Sequence, residues 1–326
     1  MTSTVSTARG PVARQELGTV LPHEHLFINL MRERRADGLI ADETTVTEEL
    51  NVFTALGGGT VVDLTTAELT PGASPDAGAS PPPPPGASRD PANVLAVRRV
   101  AEATGLHVVL GTGHYRDPFL DRDWFDRHGV DAIAEEIVRD LTEGFPGTGG
   151  VRAGVIGEVG CDKWYISAAE ERSMRAAARA QRVSGAAIHT HAARWPVGLA
   201  QLDLLTSEGG DPTRVAIGHC DTVTAPGYAE RIARRGAYVG IDTINTDHPG
   251  EVRRRVGMVL DLVRAGHIDN ILLSHDVCLV SQLRAHGGGG YGFVHTGFRE
   301  RLLAAGLDAG EFEHITTANP ARLLCS

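Results

Sequence analysis

Two histidines stand one residue apart in the segment LPHEHL, Leu21 to Leu26. On an extended strand, side chains at i and i+2 share a face. His23 and His25 would then offer two imidazoles to one side, as a bound metal ion needs. A polar surface turn is the plainer reading, because HxH is short and common. Four further segments change the balance. AGVIGEVG carries Glu158, GAAIHTHAA carries His189 and His191, RVAIGHCD carries His219, and NILLSHD carries His275 and Asp276. Singly, His219 reads as a buried core histidine, and Glu158 and Asp276 as caps. Jointly, four histidines and two carboxylates at separate strand ends match a two-metal site. Neutral imidazole nitrogen and carboxylate oxygen both suit zinc or manganese. A carboxylate can bridge two cations about 3.5–4 Å apart that share a hydroxide whose proton they have made acidic.

Such residues need a scaffold that gathers strand ends. Candidate strands read at 19–25, 59–64, 107–112, 154–159, 186–190, 215–219, 237–242 and 271–276. Helical stretches follow at 45–56, 91–104, 130–143, 168–185, 196–208, 226–235, 249–265 and 293–305. Prolines near several helix starts fit the preference for the first turn. This alternation implies a parallel sheet with helices packed outside. Eight units in 326 residues predict an α/β fold, a single-domain (β/α)8 TIM barrel over residues 1–326. Active sites of that fold assemble at the C-terminal ends of the strands. A doubly wound sheet is the structural rival. The segment at about 68–90, ELTPGASPDAGASPPPPPGASRD, is Pro-, Gly- and Ser-rich and cannot bury a core. It predicts a solvated, partly polyproline loop inserted after the second strand. HGGGGYG, 286–292, reads as a flexible loop after the last strand and lacks the order of a phosphate cradle.

Composition sets the remaining bounds. With 42% hydrophobic and 22% charged residues, the chain can bury a large core without staples. A formal charge of −10 disfavours nucleic acid as a partner. Four widely spaced cysteines without a CxxC pair suggest reduced thiols and a cytoplasmic location. The N-terminal stretch lacks the apolar region of a secretion signal, and no run of 18 apolar residues predicts a membrane span.

The order of these motifs is similar to that of the amidohydrolase superfamily, and within it the chain resembles the phosphotriesterase family. The resemblance lies in LGTVLPHEHL, GGGTVVDLTT, EATGLHVVLGTGHY, VRAGVIGEVGC, AAARAQRVSGAAIHTHAA, RVAIGHCD, ILLSHDVC, GGGGYGFV and ITTANPARLL. It implies two divalent ions, most simply zinc, with manganese or another transition metal as the alternative. His23, His25 and Asp276 would hold the more buried ion, His191 and His219 the more exposed one, and Glu158 would bridge them. The best-studied members bridge with a carbamylated lysine; this chain resembles the branch in which glutamate serves. In the family the fifth-strand ligand falls six residues after a helix-closing glycine, which from Gly185 gives His191. His189 would then lie one layer deeper, behind the ligands or in a pocket wall. His275 would point outward and Asp276 inward.

The resemblance implies a binuclear-metal-dependent hydrolase, in which a metal-bridging hydroxide attacks a carboxylic amide, ester or lactone and Asp276 accepts the proton. Candidate substrate-binding residues are Tyr115, Trp164, His189, Arg194 and Cys278, with Arg284 a further loop candidate. Arg194 is placed to pair with a carboxylate or sulfonate. The expected partner is a small-molecule substrate, with a homodimer as the common family assembly. Rival readings are a phosphotriester hydrolase, a TatD-like nuclease, and a barrel that binds metal without catalysis. The acidic net charge and few rim cations weigh against the nuclease.

Overall fold

Eight short strands, buried on both faces, close the chain around two apolar layers. The computed structural model describes residues 3–70 and 88–325. An antiparallel hairpin comes first, β1 (Thr4–Thr7) and β2 (Gly10–Ala13). The barrel strands are β3 (Thr19–Glu24), β6 (Gly58–Asp63), β7 (His107–Thr112), β8 (Val155–Gly160), β9 (Ile188–His191), β10 (Val215–Ile217), β11 (Tyr238–Ile241) and β12 (Ile271–Leu273). A two-residue pair, β4 (Ile28–Asn29) and β5 (Leu39–Ile40), interrupts the connection after β3. The eight barrel strands are parallel and run in the order β3-β6-β7-β8-β9-β10-β11-β12. The expected strands and helices are all present, with ends shifted by a few residues.

Residues of one parity, among them Val20, Val62, Val109, Val155, Ala187, Ala216 and Leu272, fill the barrel interior together with Val5 and Val12 of the hairpin and Leu323 of the last helix. The other parity, including Leu21, Val61, Val108, Ile156, Ile188, Ile217 and Leu273, packs outward against the helices. Local signals set those helices. Ser167 and Glu170 form a capping box at the start of Ala168–Ser184, and Gly185 ends that helix in the left-handed conformation. Asp90 caps Pro91–Thr104, whose first residue is proline.

The first and last strands meet at a seam made largely by side chains. The Asp276 N–H donates to the His23 carbonyl at 3.2 Å, and the His23 N–H donates to Ser274 Oγ at 3.1 Å. Glu24, the residue between the two histidines, points outward into this seam. Its carboxylate accepts from Ser274 Oγ (2.8 Å), the His275 N–H (2.9 Å), His275 Nδ1 (2.7 Å) and the Val277 N–H (2.9 Å). Burial would raise the Glu24 carboxyl, but the His275 imidazole and these amides outweigh it and hold it below its usual range.

Most of the proline-rich segment expected at 68–90 lies outside the described residues. The glycine-rich segment differs from the expected flexible loop. It forms a short 3-10 helix, Gly290–His295, anchored by the fully buried Tyr291, whose hydroxyl donates to the His25 carbonyl at 2.7 Å. Among the described residues, no helix is long and apolar enough to cross a membrane.

Candidate metal centre

The C-terminal rim of the barrel brings together His23 and His25 from β3, Glu158 from β8, His191 from β9, His219 just past β10, and Asp276 past β12. The Glu158 carboxylate lies at the middle. Its Oε1 is 2.8 Å from His191 Nδ1, 2.8 Å from His219 Nε2 and 3.6 Å from His23 Nε2. Its Oε2 is 3.9 Å from His25 Nε2. Asp276 Oδ1 is 3.3 Å from His25 Nε2 and 3.8 Å from His23 Nε2. Glycine makes room for these groups. A side chain at Gly160 would meet the His191 Cβ at 2.3 Å, and one at Gly218 would meet the Thr190 carbonyl at 2.4 Å, beside His23 and Asp242. His219 and Asp276 both have left-handed backbones, with φ of 56° and 52°. That conformation is uncommon without glycine and is found at functional sites.

Asp242, at the end of β11, was not singled out from sequence. Its Oδ1 holds His219 Nδ1 and its Oδ2 holds His23 Nδ1, both at 2.9 Å, which turns both Nε2 atoms toward Glu158. Thr65 Oγ1 lies 3.0 Å from His25 Nδ1 and donates to Asp63 at 2.8 Å; Asp63 is paired in turn with the fully buried Arg89. Carboxylates behind ligating histidines fix tautomer and ring direction. The available signal for Asp242 was its place at the rim end of a predicted strand. Glu24 gave none, because it faces away from the site.

Divalent ions fit this donor set. The His23 Nε2 atom is buried and has no hydrogen-bond partner, although it points at two carboxylates. Among the described residues, three groups place donor atoms within reach of one ion: His23, His25 and Glu158; His23, His219 and Asp242; and Glu158, His191 and His219. The charge balance agrees. Burial opposes ionisation of Glu158 and Asp242, yet adjacent imidazoles hold both carboxyls well below the usual range. Burial likewise opposes protonation of His23, but Asp242 and then Glu158 push it up to about 9. The cluster is therefore built to hold buried positive charge, which a metal ion supplies.

Above the cluster lies a cleft of about 460 Å³ whose walls include Tyr115, Arg194 and Cys278 of the expected substrate residues. The Tyr115 hydroxyl is 3.1 Å from His191 Nδ1. Trp164 lies elsewhere, 67% exposed and edge-on to Tyr165. His189 also lies off the cleft wall. It is buried one layer deeper, beside Ala216 in the sheet, with its ring 6.4 Å from that of His23. Burial, reinforced by His23, lowers its pKa to about 3. Arg284 does not line the cleft. His275 points outward, with its Nε2 accepting from the Val294 N–H at 2.9 Å. Cys161 and Cys220 are buried fillers beside Met174 and the Ile217 carbonyl.

Comparison with known proteins gives the family. Residues 3–74 and 86–324 match the model of the phosphotriesterase family. The phosphotriesterase homology protein of Escherichia coli is 31% identical over 308 residues, covering 94% of this chain and 97% of that one. An N-acetyltaurine hydrolase of Salmo salar is 26% identical and covers 98% of this chain and 97% of its own. The crystal structure of a lactonase from Listeria monocytogenes superposes with a TM-score of 0.83 at 25% identity, covering 99% of both chains. With a family match on both sides of the proline-rich segment, this chain belongs to the phosphotriesterase family and is a metal-dependent hydrolase.

Proposed function

We propose that the chain hydrolyses a carboxylic amide, ester or lactone with the help of two divalent ions, zinc or manganese. The observation that carries this reading is the position of Glu158, whose carboxylate reaches both histidine pairs from the floor of the cleft. His23, His25 and Asp276 would hold the more buried ion, His191 and His219 the more exposed one, with Glu158 between them. When bound, the ions would acidify a water molecule and polarise the substrate's carbonyl oxygen.

The chain's own residues do the rest. Asp242 and Thr65 hold three imidazoles in register. Asp276, whose side chain keeps 16% of its surface open, faces the cleft and takes up the proton released on attack, then delivers it to the leaving group. Tyr115 offers a hydroxyl beside His191, Cys278 narrows the cleft, and Arg194 stands on the wall. The names of two kinds of relative, an N-acetyltaurine hydrolase and a lactonase, support an acyl substrate. The four free thiols fit a reducing compartment such as the cytoplasm, and the family likeness suggests a homodimer.

The test is a screen of lactones, N-acyl amides and aryl esters against zinc- and manganese-loaded protein, with metal analysis of the same samples. The expected result is about two equivalents of metal per chain and turnover of at least one class. Full metal loading without turnover across the panel would replace the reading with that of a binding protein.

A further inference from the structure

The acids of the cleft are not distributed evenly over its arginines. Its charged walls, apart from histidines, are Glu33, Arg34, Arg116, Asp162, Arg194 and Asp276. Glu33 and Asp162 are both committed to Arg116: Glu33 at 2.9 Å, Asp162 by a short ion pair. Asp276 belongs to the metal cluster. Arg34 and Arg194 are left without an acidic partner among the described residues. Elsewhere in the chain, Arg175 and Arg179 share Glu208, and Arg255 is paired with Asp221.

Arg194 is also held in place. Its φ is +69°, a left-handed conformation that costs energy in a residue with a side chain. Its N–H donates to Thr222 Oγ1 at 2.7 Å, and that hydroxyl donates to the His219 carbonyl, also at 2.7 Å. The backbone of Arg194 is thus tied to a residue of the cluster and lies three positions past His191. Arg34 ends the helix Met31–Arg34, next to Arg35, which is also left-handed with φ of +52°. The turn that follows Arg34 is tied to the segment after Asp276, where the Ser281 N–H donates to Asp37 Oδ1 at 2.8 Å, and Arg34 lines the cleft together with Asp276 and Cys278. One arginine therefore flanks the His191–His219 side of the cleft and the other flanks the Asp276 side.

We infer that Arg34 and Arg194 form an anion clamp, and that the substrate is an amide, ester or lactone carrying a carboxylate, sulfonate or phosphate group away from its reacting carbonyl. Guanidinium groups present planar donor pairs that match such oxyanions. A volume of about 460 Å³ suits a compact molecule of this kind. The inference rests on the acyl-hydrolase reading for the reaction, but not for the binding of the anion.

Two measurements on the metal-loaded protein test it. The first compares N-acetyl-β-alanine, N-acetyltaurine and the matching N-acetyl aminophosphonate with uncharged N-ethylacetamide, and repeats the comparison with charged and uncharged lactones and aryl esters. We expect kcat/KM to favour the anionic member of each matched set at least tenfold. Arg34→Met and Arg194→Met should each raise KM for anions about five- to tenfold, and raise it at least threefold less for the matched neutral substrates. Which anion wins identifies the headgroup. The second is calorimetric binding of a ketone in which a methylene replaces the amide nitrogen of N-acetyltaurine, against the same ketone without its sulfonate. Binding that needs the sulfonate and weakens in both variants supports the clamp even if no substrate turns over, an outcome that would instead sink the hydrolase reading. Hydrolysis or ketone binding indifferent to charge, and unchanged in both variants, overturns the clamp.

Discussion

Glu158 touches both histidine pairs, so no other side chain can take over its position. Glu158→Ala is expected to lose metal and activity together, to less than about a hundredth of the wild-type metal affinity; metal content after dialysis checks this. Asp276→Asn removes the proton acceptor but keeps an oxygen donor. It should retain most of the metal while kcat falls by about a thousandfold, which steady-state kinetics with parallel metal analysis would register. Unaltered turnover in this variant would refute the role given to Asp276. These residues were legible in the sequence because chemistry-bearing types recur where predicted strands end. His191 could be separated from His189 only by family likeness, since both share a strand face; the structure puts His189 a layer deeper. Asp242 was not legible as a site residue. One aspartate at a strand end looks like a helix cap, and nothing local reveals two imidazoles approaching from β3 and β10.

At the level of elements, the join between β3 and β12 depends on Glu24. Glu24→Gln would set an amide group against N–H donors of the last strand, leaving at least one of them unpaired in a buried seam. A loss of about 2–3 kcal/mol of stability is expected from denaturant unfolding. The short helix Gly290–His295 supplies a pH dependence. The His295 ring lies between Phe53 (5.3 Å) and Phe312 (5.7 Å), and both its nitrogens are buried without a partner. Burial, then His275 and Arg299, lowers its pKa from 6.5 to about 3. The folded state therefore keeps His295 neutral while the unfolded chain protonates. Stability is complete above pH 6.5 and falls as pH drops from there toward 3, by about 1.4 kcal/mol per unit. His295→Phe should remove this component. Its advantage over wild type would widen by about 2 kcal/mol between pH 6.5 and 5, and an advantage that stays constant over that range would contradict the account. The positions of strands and helices were readable from periodicity and caps. The fixed conformation of the glycine-rich segment was not, because it depends on Tyr291 reaching a carbonyl more than two hundred residues away in sequence.

For the molecule as a whole, eight repeats of one pattern made the barrel readable before any side chain was placed, since a closed parallel sheet brings eight strand ends to a common rim. The cleft was less readable. Its walls come from segments whose course follows from tertiary contacts, so Arg34 gave no signal, while Trp164, an aromatic residue close in sequence to Glu158, is exposed and does not line the cleft. The family match runs on both sides of residues 75–85, which lie inside the proline-rich stretch. The rival nuclease reading is set aside by the family to which the chain belongs.

Asp242 has one further consequence. A single carboxylate steers His23 with one oxygen and His219 with the other, and these histidines serve different ions in the proposed assignment. Capture of the first ion would freeze that shared carboxylate and so lower the entropic cost of capturing the second. Loading should then be cooperative: titrating stripped protein with zinc would give a sigmoidal isotherm with little singly loaded species in native mass spectra. In Asp242→Asn the isotherm should flatten into two independent steps.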